Sequence, residues 1–239
     1  MRHYSKHPRF PLAVDCIIFG YDGQELKLLV IQRGFEPRKG DWSLIGGFVQ
    51  KEETAEDAAK RVLLNLTGID GLYMEQLHTF SDPGRDAEER TVSIAYFALV
   101  DLHKYRQPLN EDYHPVWFPI NRVPDLIFDH NDMVELAKEK LRYKAALHPL
   151  LFELLPARFT IPQLQNLYEC VYNTSFDKGN FSRKILSTQL LTKLNDKDKL
   201  SSKKGAFYYK VNTKKYNANI NSFLNFVSKP DRIAASDRA

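Results

Sequence analysis

From Gly46 to Ile69 the chain reads GGFVQKEETAEDAAKRVLLNLTGI, with its acidic residues gathered at one end. Glu52, Glu53, Glu56 and Asp57 are followed by Arg61. Carboxylates this dense could hold a divalent cation. They could equally be first-turn acids favoured by a helix dipole, each contributing about 0.3–1 kcal/mol, which is the simpler account. Thr54 with Asp57 three residues on reads as an acidic variant of a capping box, and Gly68 as a C-cap. Residues 54–67 are therefore expected to form one helix. On that helix positions 62, 65 and 66 are i, i+3 and i+4 and share a face. Val62 and Leu66 present no oxygen there, and Asn65 presents one neutral carbonyl. A hard cation such as Mg2+ needs several oxygen ligands in near-octahedral geometry. This face cannot supply them.

The run resembles the Nudix box, Gly-x5-Glu-x7-Arg-Glu-apolar-x-Glu-Glu-x-Gly-apolar, of Mg2+-dependent nucleoside-diphosphate hydrolases. Gly47, Glu53, Arg61, Leu63, Gly68 and Ile69 fall where that pattern wants them. The resemblance implies that Glu53 and Arg61 pair to order the loop, although Arg61 could instead meet an anionic ligand. It also implies metal-binding glutamates at 62, 65 and 66, where Val62, Asn65 and Leu66 stand. Without the metal neither the attacking water nor the leaving phosphate is activated. The expectation is a non-enzyme with no catalytic residues, no metal and no cofactor. The rival reading is an ADP-ribose or sugar-nucleotide pyrophosphatase using displaced carboxylates such as Glu52, Glu56, Glu88 or Glu89.

The elements that must position the box are legible around it. Leu12–Tyr21 and Glu25–Arg33 read as strands joined by a turn at Asp22-Gly23, and a loop from Gly34 to Trp42 leads into the box. Leu72–Phe80, Thr91–Val100 and Val116–Ile120 are further strand candidates, rich in β-branched and aromatic residues. SDPGRDAEER between them reads as a polar loop. Asp132–Leu147 repeats apolar residues at helical spacing and closes the first domain or links it onward. This order fits the α/β/α sandwich of Nudix proteins.

Prolines at 149 and 156 mark a crossing into a second domain. Thr160 caps a helix with Pro162 in its first turn and an apolar stripe of Leu164, Leu167, Tyr168 and Val171. A second helix is expected from about Asn180 to Leu194, with Phe181, Ile185, Leu186 and Leu190 inward. Asn180, Ser182, Arg183, Lys184 and Ser187 are left outside, a set suited to base edges and phosphates. A basic turn at Lys203 and Lys204 precedes a strand from Ala206 to Val211. Helix, turn, helix and basic hairpin make a winged helix-turn-helix. The predicted class is α+β, with a Nudix-like domain over 1–148 (terminal or linker helix 131–147), a winged helix over 149–229, and a frayed tail over 230–239.

Charge supports that division. Residues 150–239 hold 15 Lys and Arg against 7 Asp and Glu, whereas residues 1–149 hold 19 against 23. A basic second part joined to a mildly acidic first part points to a polyanionic partner, double-stranded DNA. No apolar run of about 18 residues is present, so no membrane span is expected. No signal peptide is read, and Cys16 and Cys170 make neither a disulfide framework nor a zinc site. A reducing cytoplasm fits.

The chain as a whole resembles the Nudix-related transcriptional regulators, through RGFEPRKGDWSLIGGFV, FTIPQLQNLYECVY and NFSRKIL. The usual Pro-Gly-Gly of that group is here Ile45-Gly46-Gly47. The resemblance implies a homodimer that binds a near-palindromic operator and senses a metabolite, either ADP-ribose or a sugar. Arg33, Trp42, Gly47, Glu53, Arg61 and Arg85 are the candidates to line the sensor pocket. Trp42 could stack on a ring or pack as a half-buried wall. Arg85 could grip phosphate bidentately or stay solvated in its loop. With the acidic cluster gone, charge favours a sugar, and hence a repressor of carbohydrate-utilisation genes.

Overall fold

The computed structural model describes residues 6–34, 36–105, 109–110, 113–199 and 205–216. The chain divides into two compact units, 1–142 and 143–239, so the division falls inside a helix rather than at the expected crossing after 148.

Unit 1 is built on a seven-stranded mixed sheet. Its path runs β3 (Trp42–Ser43), β2 (Leu26–Gln32), β1 (Leu12–Tyr21), β6 (Val92–Asp101), β5 (Glu75–Phe80). Off that path β4 (Ile45–Phe48) pairs with β1, and β7 (Pro115–Pro119) with β2. β1 is buried from Val14 onward and runs parallel to β6. That burial accounts for its nearly unbroken apolar sequence, which a two-sided core strand requires. Helix α1 (Ala55–Thr67) packs Ala58, Ala59, Val62 and Leu63 into a core with Val14, Cys16, Ile18 and Leu29. Its caps are the expected ones. Thr54 Oγ1 accepts from the Asp57 N–H at 3.1 Å, and Gly68 takes the left-handed conformation at φ 79°. Helix α2 (His130–Leu147) buries Met133, Ala137 and Leu141, one stripe at four-residue spacing.

Unit 2 contains β8 (Phe159–Thr160), α3 (Ile161–Tyr172), α4 (Lys178–Ser187), β9 (Leu191–Asp198) and β10 (Ala206–Val211). The three strands form one antiparallel sheet in the order β8-β10-β9. Thr160 caps α3 with a complete capping box to Gln163. Leu164, Leu167 and Val171 form the buried stripe as predicted, whereas Tyr168, expected with them, is half-buried. Two expectations are corrected here. The second helix ends at Ser187, not near Leu194, and residues 191–198 are a strand. Gln189 at φ 57° turns the chain, and the backbone of 191–198 finds its partners in β10 instead of in a further helical turn. Leu186, expected inward, is exposed at 41 %, whereas Leu190, just past the turn at Gln189, is buried. Lys203, Lys204 and everything from 217 onward, including the expected tail, lie outside the described residues. Among the described residues no helix is long and apolar enough to cross a membrane.

Candidate functional site

A cavity of about 390 Å³ opens in unit 1 where β1, β4, the 81–91 loop and the start of α2 converge. β1 and β4 pair with Val14 opposite Gly47 and Asp15 opposite Gly46. Both glycines are required by that approach. A Cβ on Gly46 would collide with the Asp15 carboxylate, and one on Gly47 would stand 2.9 Å from Val62 Cγ2. The walls include Arg33, Leu66, Arg85, Phe128 and His130, with Glu36, Asp86, Glu88 and Glu89 among the acidic lining residues.

Behind this cavity lies a buried polar network. Arg85, whose side chain is only 4 % exposed, donates to Asp129 bidentately from Nε and Nη2 at 2.8 and 2.7 Å. The same guanidinium stands 3.8 Å from Asp15, which accepts from Ser93 Oγ at 2.6 Å. His130 Nδ1 accepts the Leu44 N–H at 3.1 Å, which leaves the ring proton on Nε2, 3.5 Å from Asp15 Oδ1. Burial holds the His130 imidazole below its ordinary value, against the opposing pull of Asp15 and Asp129. Phe128 precedes these residues at φ 52°, a left-handed backbone that costs a bulky side chain about 1–3 kcal/mol.

The depressed imidazole has a consequence for stability. The unfolded chain protonates His130 near pH 6.5 while the folded one stays neutral to lower pH. Acidification below 6.5 therefore favours unfolding, and stability returns as pH rises. A His130→Asn variant keeps an acceptor for Leu44 and should flatten that part of the stability-versus-pH curve. An unchanged slope in urea unfolding would show that other groups carry it.

The box helix ties down the loop that precedes it through Arg61. Arg61 pairs with Glu53 at 2.5 Å and donates to the Phe48 carbonyl at 3.0 Å, and the hydrogen bonds from Arg61 and from the Gln50 N–H hold Glu53 down to about 2. Glu56 is taken by Lys60 at 2.7 Å. Val62 is buried against Gly47, Leu66 lines the cavity, and Asn65 is exposed, its backbone carbonyl accepting from the Asn110 side-chain amide at 2.9 Å. Among the described residues no group of three His, Cys, Asp or Glu side chains is placed to hold a metal ion. The donors present do not fit Mg2+.

In unit 2, α4 begins at an Asp177 cap that accepts from the Asn180 N–H at 2.8 Å. Asn180, Arg183, Lys184 and Ser187 are exposed and Ser182 is half-buried. Arg183 Nη2 donates to Asn180 Oδ1, so two of these side chains are held as a pair. The opposite face packs through Phe181 onto Tyr168 and Phe176 at ring distances of 5.7 and 5.9 Å. Burial pushes the Tyr168 hydroxyl up to about 12. On the hairpin, Lys193 and Lys197 sit over the Phe207 ring at 3.6 and 4.4 Å, and Arg158 lies over Tyr208 at 4.3 Å. Cation–π contacts of this kind present ammonium groups along the strand.

Residues 9–138 match the NUDIX domain family, and residues 151–211 match the NrtR DNA-binding winged helix domain. A protein of Acinetobacter baylyi described as "ADPR responsive transcriptional repressor NtrR" is 32 % identical over 226 residues, 93 % of this chain and 90 % of that one. The chain belongs to the NrtR family. NrtR of Shewanella oneidensis, solved with a 27mer DNA, superposes at a TM-score of 0.70 with 29 % identity, over 86 % of this chain and 95 % of that one. The NUDIX domain of the same protein, solved with ADP ribose, gives a TM-score of 0.51 with 33 % identity, over 56 % and 90 %.

Membership of the NrtR family bears out the expected fold, a Nudix domain followed by a winged helix. The pocket candidates are only partly brought together. Arg33, Gly47 and Arg85 line the cavity, whereas Trp42, Glu53 and Arg61 are not among its lining residues. Trp42 packs edge-on to Phe118 at 5.0 Å, and Arg61 is engaged by Glu53. Arg85 is buried rather than solvated in its loop, and its fork is engaged by Asp129. Sequence reasoning missed Asp15, Asp129 and His130. A lone carboxylate within the apolar run LAVDCIIFGY was the available signal. Asp129 and His130 carried none, since their partners lie far away in sequence.

Proposed function

We propose that this chain is a transcriptional repressor that binds operator DNA through unit 2 and is released from it by ADP-ribose bound in unit 1, without hydrolysing it. The observation that carries the reading is the cavity itself. It keeps the Nudix location and two arginines, but the helix face beside it offers Leu66 where a metal-binding carboxylate is needed. Arginine suits the pyrophosphate, and carboxylates such as Asp86 and Glu88 suit ribose hydroxyls. The responsive repressor of Acinetobacter baylyi and the ADP-ribose complex of the Shewanella oneidensis domain support this ligand. They outweigh the charge argument for a sugar, and with it the assignment to carbohydrate-utilisation genes.

Ten residues of α4 span only about 15 Å and read a few base pairs. A homodimer on a near-palindromic site, with recognition helices about one turn apart, supplies the rest. Asn180, Ser182, Arg183, Lys184 and Ser187 are assigned to DNA, with Lys203 and Lys204 as the wing contribution.

The test is a duplex enriched from a random-sequence pool by the full-length protein, titrated by fluorescence anisotropy with and without ADP-ribose. ADP-ribose should weaken binding on the order of tenfold or more, within the usual range of allosteric coupling. Incubation of ADP-ribose with the protein and Mg2+ or Mn2+ should release AMP at background rates. Steady turnover would establish the pyrophosphatase instead, and a response to sugars with ADP-ribose silent would restore the sugar ligand.

A further inference from the structure

We infer that the Arg85–Asp129 pair is the latch through which ligand in the cavity acts on helix α2. This rests on the proposal that the cavity takes ADP-ribose, and it names how that binding is transmitted. Arg85 lines the cavity, yet its fork is turned away onto Asp129, which is not among the lining residues. Asp129 immediately precedes α2, and its carbonyl accepts the N–H of Met133 in the first turn at 3.1 Å. Phe128, one residue earlier, lines the cavity in a left-handed conformation and meets the His130 ring edge-on at 5.9 Å. His130 opens α2, lines the cavity and is tied to the Leu44 N–H. Three consecutive residues at the head of one helix are thus fastened to the cavity or its wall. That helix runs on to Leu147, past the division between the units at 142.

Two carboxylates already share the one guanidinium, Asp129 at 2.7 Å and Asp15 at 3.8 Å. A pyrophosphate brought to Arg85 competes with Asp129 for the same bidentate geometry. Ligand therefore favours an arrangement in which Arg85 faces the cavity and Asp129 is released. Release leaves the strained lead-in at Phe128 and the first turn of α2 without their strongest tether. A ligand shifts a conformational balance only by its difference in affinity for the two arrangements, and the exchange of Arg85 partners supplies that difference.

Asp129→Asn in the full-length protein removes the charge of the latch and alters no residue that lines the cavity. Calorimetry should show ADP-ribose bound at least as tightly as by wild type, because Arg85 is freed. The ADP-ribose-dependent change in affinity for the enriched duplex should fall from about tenfold or more to under about threefold. A variant that binds ADP-ribose and keeps the wild-type response would overturn the latch. Hydrogen exchange on the unaltered protein gives a second reading, independent of any effect on folding. Amides of residues 127–134 should exchange several-fold faster with ADP-ribose present, and unchanged protection would also overturn it. If wild type binds no ADP-ribose in the calorimeter, the reading of the cavity fails first and the latch with it.

Discussion

Arg85→Met should lower the stability of the Nudix unit by about 3–5 kcal/mol, the usual cost of removing one partner from a buried ion pair. The substitution takes away a guanidinium whose side chain is 4 % exposed and leaves Asp129 and Asp15 facing one another without their cation. Two hydrogen bonds to Asp129 go with it. Methionine fills much of the space, so the loss is electrostatic more than a matter of packing. Both tryptophans of the chain, Trp42 and Trp117, lie within 1–142, so their fluorescence follows this unit alone during urea unfolding. With a urea slope of about 2 kcal/mol per M, the midpoint should fall by roughly 1.5–2.5 M. Arg85→Lys restores charge but not the fork, and should lie between the two. A midpoint shift of only about 0.2 M would mean that Asp15 and Asp129 are hydrated, and that the network holds nothing in place.

The pair at stake was invisible from the sequence, and the reason is physical. Local signals named the box helix to within a residue, because Thr54, Asp57 and Gly68 act on backbone groups within their own turns. They also placed β1 and β10, whose apolar and aromatic runs pack wherever the sheet lies. Residues 191–198, LTKLNDKD, have no such signal. Their strand exists because β10 offers a ladder, a tertiary effect that propensity does not contain. Arg85 and Asp129 are 44 residues apart, in a loop and at a helix start. Each alone reads as a solvated charge. The placement of Val62, Asn65 and Leu66 on the box helix, by contrast, could be read directly, since the caps fix the helix and helical spacing does the rest.

That neutral face and the buried latch bear on the same question, which is how the proposed ADP-ribose would be held in unit 1. In a metal-dependent hydrolase the cation takes up phosphate charge. Here Leu66, Arg33 and Arg85 line the cavity, and in the proposed complex the phosphate charge is met by the two arginines. Burial holds the Arg33 guanidinium below its ordinary value, against the opposing pull of Asp86 and Asp15. Binding that depends on Arg85, already paired with Asp129, must rearrange that pair. Rearrangement is what a regulator needs and a hydrolase does not.

At the other end of the chain, Arg183→Ala should weaken binding to the enriched duplex by about 1–3 kcal/mol, roughly 5–150-fold. Arg183 is exposed on α4, and Asn180 holds its guanidinium, so the fork is ordered before DNA arrives. A side chain placed in this way suits a base edge, and under the proposed DNA reading its loss should be felt most on the preferred sequence. Lys193→Ala on the hairpin should behave differently. Its ammonium rests on the Phe207 ring, where it can meet a phosphate but no base. That variant should lose affinity almost equally for preferred and scrambled duplexes, and should reduce the slope of log affinity against log salt by about 1. Anisotropy titrations of both variants at several salt concentrations separate the two roles. If Arg183→Ala weakened preferred and scrambled duplexes alike, α4 would be gripping the backbone, and the reading of bases would have to be sought on the hairpin.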